Sequence, residues 1–104
     1  MYIVNTETIP GKTITESLGV VRGNSVRAKW FGSDIMAGLR NVVGGELKEY
    51  SDMLTQAREL AVNRMTEDAK AIGADAIVNV RFMTAQVSQG AAEILVYGTA
   101  VKIR

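Results

Sequence analysis

The chain has 104 residues, the ordinary size of one domain, and its 47% hydrophobic and 22% charged content is that of a folded chain, far from the signature of disorder. Lys plus Arg number 12 against 11 Asp plus Glu, a net charge of +1 that excludes the strong basic excess of a dedicated nucleic-acid binder. Cysteine and histidine are both absent, which excludes a disulfide framework, thiolate catalysis, and thiolate or imidazole metal sites.

The first residues, MYIVNTETIPGK, carry neither a basic leader nor a long apolar stretch, so the expected location is the cytoplasm. Residues 2–6 are β-prone. Ile9-Pro10-Gly11-Lys12 has the form of a type II turn, with φ preset at Pro10 and positive φ open to Gly11. From Thr13 to Trp30 the chain is rich in β-branched residues, and alternation puts Ile14, Leu18 and Val20 on one face. Gly23-Asn24 suggests a bend or hairpin tip, so the expectation is one long broken strand or two short ones. Arg22, Arg27, Lys29 and Arg40 make this half locally basic, but Glu16 and Asp34 interrupt them and they read as solvated surface.

Ser33 or Asp34 can cap a short helix carrying Ile35, Met36, Leu39, Val42 and Val43, which ends at Gly44-Gly45. Beyond it Leu47, Tyr50, Leu54, Ala57, Ala61, Met65, Ala69 and Ile72 recur every three or four residues and predict one long amphipathic helix. Glu46 and Glu49 at its start and Lys70 near its end oppose the macrodipole, and Gly73 can turn left-handed after the last turn. At about 40 Å the helix is expected to outreach its own sheet.

Two strands follow. In the segment 75–85 alternation puts Ala76, Val78, Val80 and Phe82 on one face and Ile77, Asn79, Arg81 and Met83 on the other. In the last strand, Glu93 to Ile103, Leu95, Tyr97, Thr99, Val101 and Ile103 oppose Ile94, Val96, Gly98, Ala100 and Lys102, and both faces are largely apolar. The predicted fold class is therefore α+β, a small antiparallel sheet packed on one long helix plus a short one, as a single domain spanning residues 1–104. One apolar helix stripe covers one sheet face. The other face needs either a second copy of the chain, approached closely at Gly98, Thr99 and Ala100, or the segment 13–31 folded across it.

GLRNVVGGELKEYSDML (Gly38 to Leu54), AVNRMTEDAKAIGADAIVNVRF (Ala61 to Phe82) and EILVYGTAVKI (Glu93 to Ile103) resemble the signature blocks of the YbjQ-like family, which bears a heavy-metal-binding label. The resemblance covers nearly the whole chain. It implies a dodecin-subunit-like arrangement and a ring-shaped homo-oligomer, commonly a pentamer. It brings no reaction and no catalytic residues to carry over, so the expectation is a non-enzymatic binding or scaffold protein whose cofactor, if any, is unknown.

Soft heavy metals prefer thiolate or imidazole, and only thioether and carboxylate are on offer. Met36, Met53, Met65 and Met83 lie on different elements or different helix faces, and Met65 falls in the apolar stripe as core filler. Glu46, Glu49 and Asp52 can gather carboxylates for a hard cation near one helix start, or simply complement the dipole. Gly44-Gly45 lacks any phosphate-loop spacing, serine and threonine lack a histidine base, and Lys70 sits at a polar helix position. For a small ligand held between subunits the candidates are Trp30, Glu93 and Tyr97. Trp30-Phe31 can stack on a planar molecule such as a flavin or pack at an interface, and Glu93 is either a site carboxylate or a hydrogen-bonded structural one.

Overall fold

A computed structural model describes residues 1–28, 45–88 and 91–104. It contains β1 (Tyr2–Ile3), β2 (Ile14–Ala28), helix α1 (Gly45–Ala71), β3 (Ala76–Ser88) and β4 (Ala91–Ile103). The architecture is α+β: four strands in the order β1-β3-β4-β2, with α1 laid across one face over β2 and β4. The predicted short helix and its caps Ser33 and Asp34 lie outside the described residues.

The core is built where small side chains let α1 approach. Ala57, Ala61, Met65 and Ala69 are fully buried against Val21, Ile77, Ile94, Val96 and Ala100, with Leu54 and Val62 packed at the margin. A Cβ on Gly23 would collide with the carbonyl oxygen of Ala61, so the helix backbone crosses β2 at a residue that offers no side chain. Two residues on, the buried Ser25 Oγ donates to the Ala57 carbonyl at 2.7 Å and pins the same crossing. The helix ends as its sequence demands. Gly73 adopts φ +79°, its amide bonds Lys70 O at 3.0 Å, and the Ala74 amide bonds Ala69 O at 3.0 Å, the paired bonds of a Schellman motif. Ile72, expected at the end of the stripe, falls past the last helical residue and is 47% exposed.

Several strand expectations need correction. The sheet is mixed, because β1 runs parallel to β3 in the register Tyr2↔Ala76 and Ile3↔Ile77. The turn at residues 9–12 does form, with Gly11 at φ +81° and Lys12 N bonding Ile9 O at 3.0 Å. Strand β2 is continuous: Gly23 and Asn24 pair in register with Val96 and Leu95, so they are neither bend nor tip. A register shift between Ser17 and Gly19, with Gly19 at φ +102°, separates the predicted face of Ile14, Leu18 and Val20. Leu18 packs on the helix-side core, while Val20 is 71% exposed.

A second shift, between Val78 and Arg81, is centred on Asn79 at φ +55°. It moves Val80 to the face of Ile77 and separates it from Ala76 and Val78. An extra residue inverts a period-two pattern, and asparagine tolerates the left-handed backbone such a bulge needs. Gly98 and Ala100 also change role. Both face α1, and a Cβ on Gly98 would stand 2.7 Å from Ile77 Cγ2 and 3.1 Å from Val80 Cγ2, so the missing side chain makes room inside the subunit. The 27-residue helix is no longer than the strands beneath it, since β2 to β4 run for 13 to 15 residues, about 43–50 Å at about 3.3 Å per residue.

The alternation of β4 agrees with expectation: Ala92, Ile94, Val96, Gly98 and Ala100 are buried beneath α1, and Ala91, Glu93, Leu95, Tyr97 and Thr99 are half-buried on the opposite, outer face. Part of that outer face is covered from within. Ile9 packs on Ala76, Val78 and Val101, with Val4 and Ile103 at the margin. The cover comes from the N-terminal segment before β2, whereas residues 14–28, proposed as a drape, are themselves a strand of the sheet.

Candidate functional site

What remains of the outer face is a half that no other described segment covers, with a readable floor. Directly paired residues of an antiparallel ladder point the same way, so the register arranges side chains in rows across β2, β4 and β3. One row is Arg22, Tyr97 and Arg81; the next is Asn24, Leu95 and Met83; the last is Val26, Glu93 and Ala85. Val26 and Met83 are 55% and 57% exposed. Tyr97 and Leu95 run down its middle to Glu93, and two guanidinium groups flank the tyrosine.

The polar groups of the strip are partly fixed. Arg81 Nη1 donates to the Asn5 carbonyl at 3.4 Å, which ties the guanidinium to the N-terminal segment. Asn24 Nδ2 donates to Glu93 Oε2 at 3.3 Å, so Glu93 is a hydrogen-bonded carboxylate. Arg81 and Tyr97 are register partners, but Glu93 stands four residues along β4 from Tyr97, about 13 Å away at strand rise. Proton transfer between groups so placed is out of reach.

A groove of about 580 Å³ follows the edge of β2 on the helix side, lined by Arg22, Gly23, Asn24, Asn63, Arg64, Glu67 and Asp68. Across it Arg64 Nη1 donates to the Asn24 carbonyl at 2.6 Å. Glu67 is engaged by Lys70 at 3.7 Å, an exposed pair one turn apart. Nothing local in the sequence marks Arg64 and Asn24 as partners, since only the packing of α1 across β2 brings them together.

The remaining candidates scatter. Glu46 and Glu49 belong to the first turns of α1, with side chains outside the described residues, and Asp52 is exposed on the third. Trp30, Phe31 and Met36 lie outside the described residues. Met65 is fully buried in the core, Met53 is half-buried on α1, and Met83 is on the outer sheet face. Among the described residues no group of three or more Asp, Glu, His or Cys side chains is placed to hold a metal ion. The donor set does not fit a soft heavy metal, for which carboxylate and isolated thioether are poor ligands. No described helix is long and apolar enough to cross a membrane.

Comparison with known proteins places these features in context. A family model described as "Putative heavy-metal-binding", of the YbjQ type, matches residues 1–104. A UPF0145 protein of Methanosarcina acetivorans is 66% identical over 103 residues, covering 99% of this chain and 97% of the relative. Another from Archaeoglobus fulgidus is 60% identical over 104 residues, covering 100% and 96%. A third, from the bacterium Clostridium novyi, is 53% identical over 103 residues and 99% of both chains. Among solved structures, a Pediococcus pentosaceus protein of unknown function from the DUF74 family superimposes with a TM-score of 0.69 over 100% of this chain and 98% of its own; at 19% identity the likeness concerns the fold.

Proposed function

The chain belongs to the YbjQ-like family, and from that premise we propose that it is a self-associating, non-enzymatic binding or scaffold protein of the cytoplasm, whose copies complete one another's sheet cover in a ring. The observation that supports this reading is the half of the outer face that no other described segment covers. Val20, Val26 and Met83 are more than half exposed beside Leu95 and Tyr97, while Ile9 covers the other end of the same face. Single exposed apolar residues are ordinary, but several on one sheet face, interleaved with Arg22, Asn24, Arg81 and Glu93, support an interaction surface of mixed character. A dodecin-like ring of five copies is what the family resemblance adds.

A hard cation held by Glu46, Glu49 and Asp52 is the form of metal binding the donor chemistry allows. The row Arg22–Tyr97–Arg81 favours a second reading. A planar, anionic small molecule, of which a flavin phosphate is one example, would stack on the tyrosine ring and pair with the guanidinium groups between copies.

Native mass spectrometry of the purified chain addresses all three statements at once. The proposal expects several copies per particle, and either a retained divalent cation or a co-purifying small molecule. A single-copy particle contradicts the assembly. Bare oligomers that take up neither calcium, magnesium nor flavin mononucleotide on titration remove the ligand statements and leave the scaffold.

A further inference from the structure

We propose that the groove between α1 and β2 binds a free α-amino acid with an apolar side chain. It opens on the helix side of β2 and is complete within one copy of the chain. Two adjoining cavities make it up. The polar one, of about 580 Å³, holds Asn24, Arg64 and Asp68; the other, of about 450 Å³, is walled by Leu18, Val20, Ala71 and Ile72. Arg22 and Asp68 line both, so the two form one continuous trough. Each volume falls in the range of small-molecule clefts, about 300–1,000 Å³.

The charges in the trough are held apart rather than neutralised. Arg64 and Asp68 stand one helical turn apart, the spacing at which an arginine and an aspartate can close an ion pair. They do not close one. Arg64 Nη1 donates instead to the Asn24 carbonyl at 2.6 Å, across the groove. A guanidinium carries five N–H donors in a rigid fork, so one bond to a carbonyl steadies the group and leaves donors for a carboxylate. Glu67 is engaged by Lys70 at 3.7 Å, whereas no described residue forms an ion pair with the Asp68 carboxylate. The groove therefore offers one steadied cation and one available anion, with an apolar wall that begins at the anion.

That order of groups selects the ligand. A zwitterion meets both charges at once, whereas a simple anion or a simple amine sets one like charge beside it. The carboxylate belongs on Arg64 and the ammonium on Asp68, and the substituent on the carbon between them is carried toward Leu18, Ala71 and Ile72. Val20 and Ile72 are 71% and 47% exposed at that end, apolar surface that an aliphatic or aromatic side chain would cover. A free amino acid presents all three groups from one carbon, and a peptide terminus keeps only one of the two charges. Arg64 and Asp68 are both exposed, so the association is weak.

Amide NMR shifts of the intact chain during titration with L-phenylalanine test the site. Saturable shifts at Asn24, Arg64, Asp68 and Ile72 are expected at millimolar ligand. Phenethylamine lacks the carboxylate, phenylpropionate lacks the ammonium and free glycine lacks the side chain, and each is expected to bind at least about tenfold more weakly. Asp68→Asn, an exposed and nearly isosteric change, is expected to lower affinity at least about tenfold with an unaltered unfolding curve. Glu59→Gln, the same loss of charge on an exposed part of α1 outside the groove, leaves affinity as it is. Absence of saturation, equal binding by any of the three analogues, or full affinity in Asp68→Asn overturns the proposal. Shifts that gather on Leu95 and Tyr97 overturn it as well and favour the outer face as the ligand site. None of these failures touches self-association, which the mass of the particle decides.

Discussion

The two halves of the outer sheet face make an instructive contrast. At one end Ile9 is 6% exposed on top of Ala76, Val78 and Val101, held there by a type II turn and by amide bonds from Val4, Asn79 and Val80. At the other end Leu95 and Tyr97, on the same strand and the same face, have nothing above them among the described residues but their own side-chain neighbours. The strand is equally apolar throughout. What differs is whether the chain has a local segment long enough to fold back, and the dozen residues before β2 reach only as far as the β3 bulge.

Four substitutions sharpen that contrast. The largest effect is expected beneath the helix, where Gly23→Val drives a branched side chain into the α1 backbone and lowers stability by about 3 kcal/mol or more in urea unfolding. A variant as stable as wild type shows that the helix can move off β2. Met65→Ala, which empties a fully buried position, is expected to cost about 2–5 kcal/mol. On the covered half of the outer face, Ile9→Ala is expected to cost about 2 kcal/mol, the low end of the same range because its cluster is small. On the bare half, Met83→Ser is expected to change subunit stability by less than about 0.5 kcal/mol while weakening association at low concentration. Equal unfolding costs for Ile9→Ala and Met83→Ser erase the distinction between the halves.

How far the sequence could be read follows the same physics. The long helix was legible because a 3.6-residue period sustained over 27 residues survives any one irregularity, and its end because Gly73 is the residue a left-handed cap requires. The faces of β4 were legible because each register shift beside it puts the extra residue on β2 or β3 and leaves its own alternation whole. Those of β2 and β3 were misread because Gly19 and Asn79 each insert a residue, and one residue inverts all that follows. Gly23 has the look of a turn in sequence and the role of a crossing point in space; nothing local distinguishes them. The parallel pairing of β1 was hidden for the same reason, since a two-residue strand carries no mark of its partner's direction.

The candidate site was legible in its residues and illegible in its grouping. Tyr97, Glu93 and Arg81 stand on the outer face, but Arg22 beside Tyr97 and Asn24 on Glu93 depend on a pairing between residues some 70 positions apart. The heavy-metal label of the family finds no donor set among the described residues to sustain it.

Sedimentation equilibrium of the wild-type chain at low micromolar concentration reaches the central claim most directly, that one copy does not complete the cover of its own sheet. The account predicts a particle whose mass is a small whole multiple of the chain. A single-chain mass that persists as concentration rises contradicts it.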